Sequence, residues 1–189
     1  MKKAVVLFIF LAIFTGYNTW ANASSISNVT VTTNTNNMIV SASLSGFSKE
    51  FIDAIHNGIE KEITFHIDVF RVWRYWPDEF IASKTIQRTI KYDMIKKDYR
   101  ITSYDGLYLS ERMFSSFDDM KKWVTVVDRI KVLDTSVLQP DSLYFVRVMA
   151  ESKFRKLHPL LEYVLFFVPT SDFKTEWKKS QFFTIKRSK

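Results

Sequence analysis

The chain has no cysteine among its 189 residues. No disulfide can hold it together, and it offers no thiolate nucleophile, no cysteine zinc site and no cysteine for a lipoprotein anchor. Histidine is scarce: His56, His66 and His158 stand far apart, so the sequence spells out no cluster for a transition metal. The four glycines, at 16, 46, 58 and 106, make no phosphate-cradling loop. There is no Gly-x-Ser-x-Gly, and no serine beside a histidine in a nucleophile setting. The adjacent carboxylates Asp78 and Glu79 make a poor acid–base pair, because neighbouring strand residues point to opposite faces. These absences predict a protein that is not an enzyme, with no catalytic residue, no metal and no cofactor.

Residues 4 to 14 form an apolar run of eleven, short of the ~20 that a spanning helix needs. Lys2 and Lys3 precede it, and Ala21-Asn22-Ala23 follows as a small-x-small cleavage site. Residues 1 to 23 therefore read as a secretory signal peptide, cleaved after Ala23, with a periplasmic or secreted product starting at Ser24; the alternative is an uncleaved signal anchor. Removing Lys2 and Lys3 takes the net charge from +7 to +5 and leaves 166 of 189 residues, the size of one domain at 24–189. Without disulfides it must stand on packing, and 17 phenylalanines and five tryptophans supply the means.

The most informative stretch is 57 to 79. Ile59, Ile63, Phe65, Ile67 and Val69 alternate with Glu60, Glu62, Thr64, His66 and Asp68, a period of two that predicts a strand with one buried and one wet face. Fifteen residues from 59 to 73 exceed a typical strand, so a bend or bulge is expected near Phe70. His66 with Asp68, and Glu60 with Glu62, share the wet face and read as solvated rather than metal-binding.

Strands are predicted at 28–33 and 38–44 around an Asn34-to-Asn37 turn, and a helix at 47–56 with Ser48 as N-cap, Phe47 and Ile52 as staple and Gly58 just past its end. Strands follow at 81–94, hairpin-paired to the long strand, and at 98–103 and 107–112 around Tyr104-Asp105-Gly106. A helix is predicted at 116–127, with strands at 130–133, 143–152 and 175–185. Residues 157 to 168 fit a helical face, and 163 to 168 fit a buried strand equally well. The pattern predicts an all-β fold with two or three short helices, an antiparallel immunoglobulin-like β-sandwich.

Taken in order, Asn57-Gly58-Ile59, Arg71-x-x-Arg74-Tyr75-Trp76-x-Asp78, Tyr92, Lys97-x-Tyr99, Tyr144-x-Val146-Arg147-Val148 and Trp177-x-x-Ser180 resemble the bacterial exported family catalogued as domain of unknown function 4390. The resemblance spans most of the mature chain. One departure is Leu157-His158-Pro159-Leu160, where that family usually has a Leu-Pro-x-Pro-like segment. The resemblance implies export, a sandwich-like fold and a link to envelope signalling beside an inner-membrane sensor kinase. It carries over no catalytic residue.

Arg71, Trp73, Arg74, Tyr75, Trp76 and Asp78 are the candidate interaction residues, since Trp, Tyr and Arg dominate protein interfaces. The competing reading is a structural corner, with Trp73 in the core and an arginine stacked on a ring or paired with Asp78. Basic clusters at Lys96-Lys97 with Arg100, Lys153 with Arg155-Lys156, Lys178-Lys179, and the C-terminal Lys186, Arg187 and Lys189 suit a membrane surface or plain soluble edges. Export argues against nucleic acid. The functional expectation is an envelope interaction module whose partner is an inner-membrane protein. The alternative, drawn from the aromatic content and the 160–168 run, is a lipid or hydrophobic-ligand binder.

Overall fold

A computed structural model describes residues 24–34, 36–153 and 171–185. The expected signal peptide, Thr35, the ambiguous run at 157–168, Arg155, Lys156, His158 and the basic end of the chain lie outside the described residues. Met38, Val40, Ala42 and Leu44 are buried at every second position of β2 (Asn37–Ser45), which pairs with β1 (Ser25–Thr33). The intervening turn is closed by the Asn34 carboxamide oxygen, which accepts the Asn36 and Asn37 amides at 3.1 and 2.7 Å. Asparagine does this because its side chain reaches its own backbone two residues on.

Helix α1 (Lys49–His56) begins where the Ser48 hydroxyl accepts the Phe51 amide at 3.2 Å, satisfying one of the free N–H groups of the first turn. It ends before Gly58, whose φ of +76° suits glycine. Phe51 and Ile55 face the core, each burial contributing roughly 1.5–3 kcal/mol. The Phe47 ring meets Phe51 at 4.8 Å.

β3 (Lys61–Arg71), β4 (Glu79–Asp93), β5 (Asp98–Tyr104) and β6 (Leu109–Phe114) form an antiparallel meander. Then come α2 (Phe117–Thr125), β7 (Val126–Asp134), a short 3-10 turn at Thr135–Val137, β8 (Leu143–Lys153), β9 (Ser171–Lys174), β10 (Lys178–Lys179) and β11 (Phe183–Thr184). The small sheet runs β1-β2-β7. The large one runs β10-β8-β3-β4-β5-β6, with β9 and β11 also lying along β8. Every described pairing is antiparallel. The sheets stack in a sandwich-like arrangement around one core, in which Met38, Val40 and Leu44 join Phe65, Ile67, Val146 and Val148.

Three boundaries differ from the periodicity, and one face is drier than expected. Ile59 is half exposed and the long strand starts at Lys61, since Gly58 and the helix end occupy the approach. The expected irregularity near Phe70 exists: Val69 faces Ala82 but Phe70 faces Phe80, so Ile81 of β4 bulges out. The polar face of β3 is drier than alternation predicts, with Thr64 and Asp68 buried, because β3 lies between β4 and β8 and their long side chains cover it. Val126 and Val127 continue the helical spacing of α2, yet pair with Ser43 and Ala42 of β2. The small sheet takes them because its third strand needs their backbone. The last predicted strand, 175–185, is three short pieces beginning at Ser171.

Candidate functional site

Arg71 closes β3 and faces Glu79, the first residue of β4. Its Nε donates to Glu79 Oε2 at 2.8 Å, and its Nη2 donates to the same oxygen. The Trp73 indole N–H donates to it as well, at 3.0 Å. The Arg71 guanidinium lies 4.4 Å from the Trp73 ring centroid, where the ring's negative face attracts it. The hydrogen bonds from Arg71 first, then Trp73, hold the Glu79 carboxyl below its ordinary range. At the base of the hairpin loop, the Val72 amide donates to the Leu143 carbonyl at 2.8 Å.

Beyond this clamp the chain is open to solvent. Tyr75 is 81% and Trp76 77% exposed, and the Arg74 guanidinium stands 5.4 Å over the Tyr75 ring. Asp78 is exposed and takes no part in the clamp. The structural-corner reading thus needs two corrections. Trp73 does not fill the core, being 44% exposed at the rim. The carboxylate that locks the corner is Glu79 and not Asp78, because only Glu79 stands opposite Arg71 in register and so shares its face.

The outer face of the large sheet continues from the hairpin. Phe70 faces Phe80 on one side and Phe145 on the other, with centroids 5.7 and 5.3 Å away. Phe145 meets Phe182 edge-on at 5.8 Å, and Lys179 Nζ lies 4.4 Å above Phe145. Arg147 is held between Phe70 and Trp177, at 4.6 and 4.2 Å from their centroids, and is anchored by two bonds to Asp68 Oδ2 at 3.1 and 3.0 Å. The row crosses β4, β3, β8 and the terminal segment. Phe80 and Phe182, at its two ends, are more than half exposed. Sequence reasoning missed Glu79, Phe70, Phe80, Phe145, Phe182 and Lys179 as a group, because strand pairing rather than spacing along the chain brings them together.

Trp177-x-x-Ser180 has a structural meaning here. Trp177 caps Arg147, and the Ser180 hydroxyl accepts the Val146 amide at 3.0 Å while the Ser180 amide donates to the Val146 carbonyl at 2.8 Å. Thr175 does the same with Ala150, at 3.0 and 2.9 Å. Hydroxyls thus carry the ladder across the gaps between β9, β10 and β11.

Two residues of the predicted wet face of β3 are engaged: His66 Nε2 lies 3.2 Å from Glu151 Oε1, and Asp68 accepts from Arg147. Among the described residues, no three histidine or carboxylate side chains group so as to hold a metal ion, and no helix is long and apolar enough to cross a membrane. The arrangement at the hairpin end can stack, donate hydrogen bonds and present cationic charge. A family model described as a domain of unknown function (DUF4390) matches residues 21–181. No curated protein and no solved structure matches the chain.

Proposed function

The chain belongs to the DUF4390 family, and from that premise we propose that it is an exported, non-enzymatic binding protein of the bacterial envelope that grips an inner-membrane protein through its β3–β4 loop. The observation that carries this reading is the exposure of Tyr75 and Trp76 on a loop whose base three donors fix to one carboxylate oxygen. Rigid aromatic side chains on a preorganised loop lose little entropy on binding, and Trp, Tyr and Arg are the anchors that carry interface energy. The phenylalanine row beside it would extend the contact. An inner-membrane sensor kinase is the partner implied by the family resemblance.

The body on which the loop is mounted is proposed to be immunoglobulin-like. In chain order, β1-β2-β7 and β10-β8-β3-β4 match the A-B-E and G-F-C-C′ runs of a variable-type sandwich. Tyr144, early in β8, accepts the Gln139 amide at 2.8 Å and donates to the Gln139 carbonyl at 3.2 Å. A tyrosine that bonds back to the preceding corner from that strand is a hallmark of such sandwiches.

The test is crosslinked pull-down from the envelope with the double variant Trp76→Ala, Arg74→Ala. Loss of a membrane-protein partner from a folded variant is the expected result, and retention of every partner would sink the reading. A second reading, lipid binding, is favoured by the exposed rings of Trp76, Phe80 and Phe182 beside Arg74 and Lys179, a mixture suited to a headgroup layer. It expects co-sedimentation with anionic vesicles that Trp76→Ala abolishes.

A further inference from the structure

A second feature lies away from the hairpin loop. A cleft of about 730 Å³ is lined by residues of β4, β5, β6, α2 and β7. That is within the ~300–1,000 Å³ of ligand pockets. Ile86, Ile130 and Trp123 give it an apolar wall, and Ser110, Arg88 and Arg112 give it a polar one.

Arg88 is the unusual member. It is only 5% exposed. Its Nη1 donates to the carbonyls of Trp123, Val124 and Val126 at 2.6, 3.0 and 2.8 Å, capping the end of α2. Its Nε is buried with no partner. Among the described residues no carboxylate pairs with Arg88 or with Arg112. Both guanidiniums nevertheless face one ring, at 4.5 and 5.4 Å from the Trp123 centroid. Burial first, then the charge of Arg112, lowers the Arg88 pKa to about 10, so it is still cationic at neutral pH.

A buried guanidinium with no counter-charge is costly, and a second one nearby adds repulsion. The three carboxylates that also line the cleft have other partners, one of which, Lys122, lines the cleft too. Asp105 takes the Leu107 and Tyr108 amides and Lys84, Asp119 lies 3.9 Å from Lys122, and Asp128 accepts the Ser41 hydroxyl. An external oxyanion would supply what the cleft lacks, since guanidinium donors match carboxylate and phosphate oxygens. The Trp123 wall beside them suits an apolar or aromatic body. An added strand is disfavoured at the neighbouring β7 edge, because the pairing of β7 with β2 is irregular in two places and bulged edges resist pairing.

We propose that this cleft binds a small amphiphilic oxyanion, its carboxylate or phosphate at Arg88 and Arg112 and its apolar body against Trp123. The site is independent of the β3–β4 loop. The test titrates 4-phenylbutyrate, phenyl phosphate and inorganic phosphate into the purified protein, following amide resonances of Ser103 and Ser110 and the Trp123 indole N–H. At least one of the two aromatic anions is expected to give saturable shifts there, and the tighter of them identifies the headgroup. Arg112→Gln, at an exposed position, should keep the fold and weaken binding about tenfold or more, whereas Trp76→Ala should leave it unchanged. Arg88→Gln should also weaken it wherever the spectrum shows an intact fold. No saturable shift with either aromatic probe, binding indifferent to Arg112→Gln, or inorganic phosphate binding as tightly as phenyl phosphate would each overturn the proposal.

Discussion

Glu79 Oε2 takes three donors from two side chains, and it decides whether the loop above it is preorganised. A carboxyl held below its ordinary value of 4.5 has a defined sign of pH dependence. Its stabilising contribution is fully present above 4.5 and is lost as pH falls through the lower folded value. The Trp73 indole N–H resonance is therefore expected to hold still between about pH 6 and 8 and to move toward its free position well below 4.5. Glu79→Gln should remove that acid transition, which a pH titration by NMR would read directly. Tyr144→Phe is the second test at this scale. It leaves the Gln139 amide without its side-chain acceptor, with an expected loss of about 1–3 kcal/mol in urea unfolding. At this scale the sequence was legible in kind but not in pairing. It pointed to an arginine, a tryptophan and a carboxylate at the corner. The choice between Asp78 and Glu79 depends on strand register, which spacing along one chain does not state.

At the scale of elements, local chemistry was the readable part. The Asn34 turn, the Ser48 cap and the alternation of β2 were evident because each depends on neighbours within a few residues. The end of α2 was not: helical spacing ran on to Val127, while the groups that stop it are Arg88, 35 and more positions away, and β2. The terminal strand was overdrawn for the same reason, since its breaks become visible only beside β8. One tie between distant elements yields a prediction. Lys61, buried at the start of β3, bonds Asp172 of β9 at 2.7 Å, and Ser152 donates to the other oxygen of that carboxylate at 3.1 Å. Asp172→Ala is expected to cost about 3 kcal/mol because it leaves a buried ammonium without this counter-charge. Replacing both partners, with Lys61→Met and Asp172→Leu, should recover most of the loss. Denaturant curves of the two variants make the comparison, and equal destabilisation would refute it.

For the whole molecule, the two sheets share one apolar cluster, so neither has a core to keep if the other leaves. Thermal unfolding is expected as a single transition with coincident near- and far-ultraviolet circular dichroism traces. The absence of cysteine makes that transition indifferent to reductant. Two separated transitions would mean that the sheets fold independently. The all-β class and the sandwich were legible because alternation and turn residues mark strands directly. The phenylalanine row and the Arg88 cleft were not, since each is made by residues that only the folded sheets bring together.

The hydroxyl-stitched seam along β8 has a kinetic consequence. The Val146 and Ala150 amides give their hydrogens to Ser180 and Thr175 side chains, so one χ1 rotation releases each without moving any strand. Deuterium should enter at these two sites sooner than at Val148, which faces Lys178 within a strand pairing. The strand would then show a banded exchange pattern, fast at its side-chain-bonded positions and slow between them.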